Sequence, residues 1–246
     1  MKALFIRCYG VLTPDMLTGG LIDMGVPPAY LAARLKEAGA AADFIEKAND
    51  QAQFGAHYFR MPGSGPVTAA DLLAEWDRLC AAAGASFAEA GRRVLALLAR
   101  GGGGDLEELR VRASDARSLY CFLAGAEYLE AEAVYTCPFE LGGGTDAGGR
   151  LTESILVRAG STAGLPIPAD GITPSAAAML EGLSSDFTPM DGRFLLDSTA
   201  YGSASSESPD GDNTTALYLG YFTPRRDSLF PRQMKVFGAD RALFED

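Results

Sequence analysis

The stretch from Lys2 to Met24 constrains the fold of this chain more than any other. Ala3-Leu4-Phe5-Ile6 is a compact apolar run, and Arg7-Cys8-Tyr9-Gly10 leads out of it. Val11-Leu12-Thr13-Pro14-Asp15 then opens a segment that carries Leu17, Leu21 and Met24 at helical spacing. A short apolar run that ends near a glycine and passes straight into a capped helix outlines a buried strand feeding a helix N-terminus. Asp15 is the expected cap. Unpaired amides at such a terminus suit an anion or a phosphate, so Gly10, Thr13 and Asp15 form the first candidate binding loop. The loop has neither the lysine and glycine spacing of a P-loop nor a GxGxxG run. A plain structural turn with a capped helix is the competing reading.

Beyond Met24 the chain is punctuated by proline and glycine. Pro27-Pro28 separates a second helix carrying Tyr30, Leu31 and Leu35, with Gly39 as its stop. The segment from Ala42 to Arg60 reads as two strands in a hairpin, and Met61 to Pro66 as a loop. Thr68 and Asp71 make a capping box for a helix with Leu72, Leu73, Trp76, Leu79 and Cys80 on one face. Ser86 opens the next helix, and Gly101 to Gly104 is a candidate flexible joint. Leu109 to Arg112 alternates as a short strand, and Ser114 is placed to cap a helix with Leu119, Phe122, Leu123 and Ala126 on its face. Ala133 to Leu141 and Leu151 to Arg158 read as strands, while Leu165 to Pro168 is extended but barred from a sheet centre by its prolines. Thr173-Pro174 starts a helix that ends at Gly182. Phe194 to Leu196, Thr215 to Phe222 and Gln233 to Phe237 are the remaining strands, and Ser203 to Asn213 a surface loop. Helices and strands so mixed, with crossover-length links, point to an α/β or α+β fold: a mixed sheet with flanking helices in a single domain spanning 1–246.

Charge and composition exclude several functions. A formal net charge of −11 argues against nucleic acid and anionic membrane as partners. No apolar run approaches the ~18 residues a membrane helix needs, and the apolar run after Met1 is too short for a signal peptide, so a cytoplasmic location is expected. Cys8, Cys80, Cys121 and Cys137 are scattered without a CxxC pair, which reads as buried, reduced thiols. His57 is the single histidine, so no multi-histidine metal site can form. It is expected to be a packed or surface histidine.

Two further groups of residues are candidates. Arg110 and Arg112 alternate along a strand, so they share a face and together suit a phosphate or carboxylate; a solvated edge balanced by Glu107 and Glu108 is the alternative. Asp197, Ser198 and Thr199 follow an apolar run, where strand ends present polar groups to ligands. A helix cap explains them equally well. No acid/base pair stands out, and no catalytic residue is assigned.

In order and spacing these pieces resemble the N-terminal half of the nickel-insertion protein of the lactate-racemase cofactor pathway (LarC). The carriers are Arg7-Cys8-Tyr9-Gly10-Val11-Leu12-Thr13-Pro14-Asp15-Met16, then Leu21-Ile22-Asp23-Met24-Gly25-Val26, Leu141-Gly142-Gly143-Gly144-Thr145, Pro166-Ile167-Pro168-Ala169 and Met179-Leu180-Glu181-Gly182. The resemblance implies a role in loading nickel into a pyridinium thiocarboxylate nucleotide, a reaction that in the family uses CTP and manganese. The family's CTP-binding C-terminal domain is expected to be absent from 1–246, so a partner protein would have to carry it.

The departures fall where the family's chemistry lies. The family's His-x-His-Glu-Val-Gly element falls on Arg110-Val111-Arg112-Ala113-Ser114-Asp115, and its following aspartate on Ser118. The acidic residue of its first loop is Arg7, and its Thr-Pro-Thr-Gly is Asp197-Ser198-Thr199-Ala200. Arginine repels a metal cation that imidazole would ligate, so the expectation is a histidine-depleted member without the nickel site that binds an anionic nucleotide or a partner subunit. A structural scaffold subunit, and an enzyme acting on another phosphorylated substrate through Asp15, Arg110 and Arg112, are the alternatives.

Overall fold

The computed structural model describes residues 1–49, 55–63, 65–102, 110–156, 165–185, 192–204 and 213–224. Its spine is a mixed sheet of six strands: β1 (Lys2–Cys8), β2 (Ile45–Asn49), β3 (Ala56–Arg60), β6 (Ala133–Thr136), β9 (Gly192–Ser203) and β10 (Thr214–Pro224). They lie in the order β2-β3-β9-β10-β1-β6. β1 is antiparallel to β10 on one side and parallel to β6 on the other. The β2–β3 hairpin joins through a parallel β3–β9 contact. This is the α/β arrangement that the sequence implies, with the first strand in the interior of the sheet.

Among the described residues there are seven α-helices: α1 (Pro14–Asp23), α2 (Pro28–Glu37), α3 (Ala69–Ala83), α4 (Ala88–Gly101), α5 (Asp115–Tyr128), α6 (Ala147–Ile155) and α7 (Pro174–Leu183). α1 lies directly on β3, β9 and β10. It can do so because Gly20 and Gly202 bring backbones together: a Cβ on Gly202 would fall 1.8 Å from the Met16 carbonyl oxygen. α5 packs on α1 and is buried along its whole length from Asp115 to Ala126, apart from Arg117, because α2 and α3 close over it. α4 and α6 pack on α7 to complete the core. Two small ladders stand outside the main sheet: β4 (Pro66–Thr68) with β5 (Arg110–Arg112), and β7 (Phe139–Gly142) with β8 (Leu165–Pro168). None of the described helices is long and apolar enough to cross a membrane.

Several local expectations are met for the reasons given. Thr68 and Asp71 form the capping box of α3. Pro174 starts α7, with Thr173 as its cap. All four cysteines are free, three of them buried.

Other expectations are corrected. The cap of α1 is Thr13, whose hydroxyl accepts from the Met16 amide at 3.3 Å, so Asp15 is left in the first turn. Residues 151–155 belong to α6, not to a strand: Asp146 caps the Gly149 amide at 2.6 Å, and Leu151 and Ile155 are four apart, a helical interval. The segment 133–141 splits at Cys137-Pro138 into β6 and β7, which enter different sheets. Ser86 does not cap α4, its hydroxyl being taken by Glu127. Ser114 sits at the N-cap of α5 with helical angles, φ −73° and ψ −17°, and makes no cap bond. The 233–237 strand, most of the 203–213 loop and the end of the glycine joint lie outside the described residues.

Candidate functional site

Three helices begin at one place. The loop Gly10–Thr13 runs beside Gly171–Thr173, where Leu12 pairs with Ile172 in a parallel bridge. The Leu12 amide donates to the Gly171 carbonyl at 2.9 Å, and the Thr173 amide donates to the Leu12 carbonyl at 3.0 Å. The contact is close enough that a Cβ on Gly171 would lie 3.2 Å from the Gly10 carbonyl oxygen. On both sides an apolar residue, a threonine and a proline lead into a helix. Thr173 accepts from the Ala176 amide at 3.3 Å, as Thr13 does from Met16. The bridge therefore sets the first turns of α1 and α7 side by side, and α5 meets both with its own first turn.

Helix N-termini brought together concentrate partial positive charge, and they favour acidic or hydroxyl side chains at their junction. Asp15 of α1 accepts from Ser118 of α5, Oγ to Oδ1 2.6 Å, and from the Met61 amide at 3.4 Å. Ser175 of α7 donates to Asp115 of α5. Asp115 and Ser118 are three residues apart on α5, so they present one face. Each carboxyl is thereby held by a serine from a neighbouring helix.

Burial controls the electrostatics. Both aspartates are buried, each residue 7% exposed. Burial pushes the Asp15 carboxyl above the ordinary carboxylate range, while the Ser118 bond, the Arg112 charge, the Met61 amide and Arg60 pull it back. Burial pushes Asp115 up to about 6; the Ser175 hydroxyl and Arg112 oppose the rise, and the Asp15 charge adds to it. Arg112, half-buried in β5, is thus the cation common to both acids. A carboxyl that titrates near 6 can hold or give up a proton close to neutral pH.

The structure gathers Gly10, Thr13, Asp15 and Arg112 at this junction. Arg110 lies two residues earlier on β5, with its backbone paired to Thr68. Asp197, Ser198 and Thr199 are not brought there. β9 does not end after Leu196 but runs on to Ser203, and Asp197 is the unpaired residue of a bulge opposite Leu219 and Gly220. Through β10, Ser198 and Thr199 stand level with Leu4 and Phe5 of β1, whereas the junction lies beyond the end of that strand. Asp115 and Ser175 were missed in the sequence; the similar helix starts Leu12-Thr13-Pro14 and Ile172-Thr173-Pro174 mark where α1 and α7 begin but do not reveal that Asp115 meets Ser175.

His57 is packed, as expected, with Nε2 2.5 Å from Glu46 Oε2 and 8% exposure. Among the described residues no group of three or more His, Cys, Asp or Glu side chains is placed to hold a metal ion.

These features can be set beside known proteins. The chain is similar to a nickel insertion protein. The relative, named "Putative nickel insertion protein" in Geotalea daltonii (strain DSM 22248 / JCM 15807 / FRC-32), is 28% identical over 242 residues. The match covers 89% of this chain and 61% of the relative, so the chain spans less than two thirds of that protein's length. No family model and no solved structure matches the chain. The relative agrees in kind with the resemblance carried by the motifs between Arg7 and Gly182.

Proposed function

We propose that this chain is a divergent nickel-insertion-like module that serves maturation of a nickel-nucleotide cofactor by binding an anionic nucleotide or a partner subunit, without ligating nickel at the family's histidine positions. One observation carries the reading. Where the resemblance places histidine donors, at Arg110 and Arg112, the side chains are cationic, and Arg112 acts on two buried carboxyls at the junction of three helix N-termini. A guanidinium there replaces a metal ligand with a fixed positive charge. On this reading any use of CTP or manganese lies outside the region that matches the relative, which is 61% of that protein.

A second reading is a scaffold that has kept the fold and lost the site. It is favoured by the way Asp15 and Asp115 already feel the charge of Arg112 and are themselves satisfied by Ser118 and Ser175.

Nickel calorimetry together with a thermal-shift screen of nucleotides separates the two. The module reading expects no stoichiometric nickel binding at micromolar affinity, and a nucleotide stabilisation of several degrees that Arg110→Ala with Arg112→Ala abolishes. Tight nickel binding sinks it. No response to any phosphorylated compound leaves the scaffold.

A further inference from the structure

A groove of about 340 Å³ opens between α3, the end of α2 and the start of α5. Its apolar lining is small: Ala40 after α2, Val67 of β4 and Ala113 after β5. Asp71, Glu75 and Arg78 line it from one face of α3, at helical intervals. Arg117 lines it from the first turn of α5. A few fixed polar groups over an apolar lining, in a cleft of roughly 300–1,000 Å³, is the usual make-up of a small-molecule site.

Two of these charges satisfy each other. Arg78 donates to Glu75 through Nε at 2.9 Å and Nη2 at 2.8 Å, and its Nη1 reaches the Gly39 carbonyl at 3.2 Å. The other two are left apart. Asp71 accepts from the Thr68 amide at 3.3 Å and from the Thr68 hydroxyl at 2.8 Å, and no cation among the described residues pairs with it. Arg117 donates to the Pro62 carbonyl at 2.6 Å. Its one carboxylate contact among the described residues is Asp43, 3.7 Å away with a side chain 63% exposed. An exposed ion pair of that length contributes little.

Asp71 and Arg117 thus line one groove with opposite charges and do not bond to each other. The capping box ties Asp71 to the start of α3, and the Pro62 carbonyl anchors the Arg117 guanidinium from the loop before β4. Charges held in place before a ligand arrives lower the ordering cost of binding it.

We infer that this groove binds a small zwitterion with an apolar body, its ammonium taken by Asp71 and its carboxylate by Arg117. A free amino acid and a short peptide share that chemistry. A simple amine is repelled by Arg117 and Arg78, and a simple carboxylate by Asp71 and Glu75. The small side chains of Ala40, Val67 and Ala113 leave room for an aliphatic group beside the two charges. Neither Asp71 nor Arg117 bonds to Asp15, Asp115 or Arg112, so the inference stands or falls independently of the function proposed above.

Calorimetric titration of the purified chain with L-leucine and with alanyl-leucine tests the inference and separates the two sources. Isoamylamine, which lacks the carboxylate, and isocaproate, which lacks the ammonium, serve as half-ligands. Saturable binding of at least one zwitterion is expected, at least about tenfold tighter than either half-ligand, and the tighter zwitterion identifies the source. Asp71→Asn should weaken it at least about tenfold, and Arg117→Gln as much. The first change keeps an oxygen for Thr68, so α3 keeps its cap, and it remains decisive if Arg117→Gln loosens the loop at Pro62. The inference is overturned by the absence of saturable binding for both zwitterions, by a half-ligand that binds as tightly, or by binding that Asp71→Asn leaves unchanged.

Discussion

Ser175 donates its hydroxyl to the Asp115 carboxyl, and this single bond ties the first turn of α7 to the first turn of α5 across 60 residues of sequence. The matching bond from Ser118 to Asp15 ties α5 to α1 across 103 residues. Together they make the helix junction one polar unit inside an apolar core, where an unmade hydrogen bond is costly.

Stability should therefore depend on pH through Asp115. Its carboxyl titrates at about 6 in the fold against 3.8 for the free group, so between those values the folded chain binds more protons than the unfolded one. The stabilisation is complete below 3.8 and is lost as pH rises through about 6. A shift of about two units corresponds to about 3 kcal/mol. Urea unfolding at pH 5 and pH 7.5 should show the chain firmer at pH 5. Asp115→Asn should flatten that difference without weakening the chain at pH 7.5; a profile parallel to the parent's would refute the assignment.

Removing the hydroxyl partner of Asp15 should be costly at any pH where the acid is ionised. Ser118→Ala leaves a buried carboxylate with only the long Met61 amide contact, and a loss of about 1–3 kcal/mol is expected in urea unfolding at pH 7.5. In the double variant with Asp15→Asn the effect of Ser118→Ala should shrink, because the two residues act as a pair. Strict additivity would show that they do not.

Trp76 leaves no room at Gly91. A Cβ there would fall 1.9 Å from the indole ring, which is fully buried and pinned by its Nε1 donating to the Ala88 carbonyl at 3.0 Å. Gly91→Ala should cost about 1–3 kcal/mol or more by forcing α3 and α4 apart. As the chain has one tryptophan, its fluorescence reports the change directly. An unshifted emission with unchanged stability would contradict the packing.

Thiol titration of the native chain should find Cys137 first. Burial pushes the Cys8 and Cys121 thiols far up and Cys80 to about 11. Cys137 is less enclosed, and the Arg7 charge partly offsets its own rise. A disulfide reagent should modify at most this residue until denaturant exposes the other three. Rapid reaction of Cys121 would mean that α5 opens in the folded state.

Much of the fold was legible in short-range chemistry. The strand Ala3–Ile6, the Thr68–Asp71 box and the Thr173-Pro174 start each carry their signal within a few residues, and the structure follows them. α6 was misread because Gly148 and Gly149 in its first turn look like a break, while the helical interval from Leu151 to Ile155 is a single repeat. β9 was read too short because Asp197-Ser198-Thr199 looks like a strand end. A bulge absorbs Asp197, and the ladder continues. The helix junction was half visible. Gly10, Thr13, Asp15 and Arg112 stood out by type, but Asp115 and Ser175 meet only because the chain returns after 60 residues, and no local pattern encodes that return.

The position of β1 has a consequence for how the chain is made. It precedes both of its neighbours in the chain by a long way: one is β6 at 133–136 and the other is β10 at 214–224. Such distant pairings carry a large loop-closure cost before they are rewarded, which slows folding. On the ribosome the N-terminal segment must wait, with both edges open, for nearly the whole of the described chain to emerge. A strand that leaves the ribosome well before its partners is among the last to be completed.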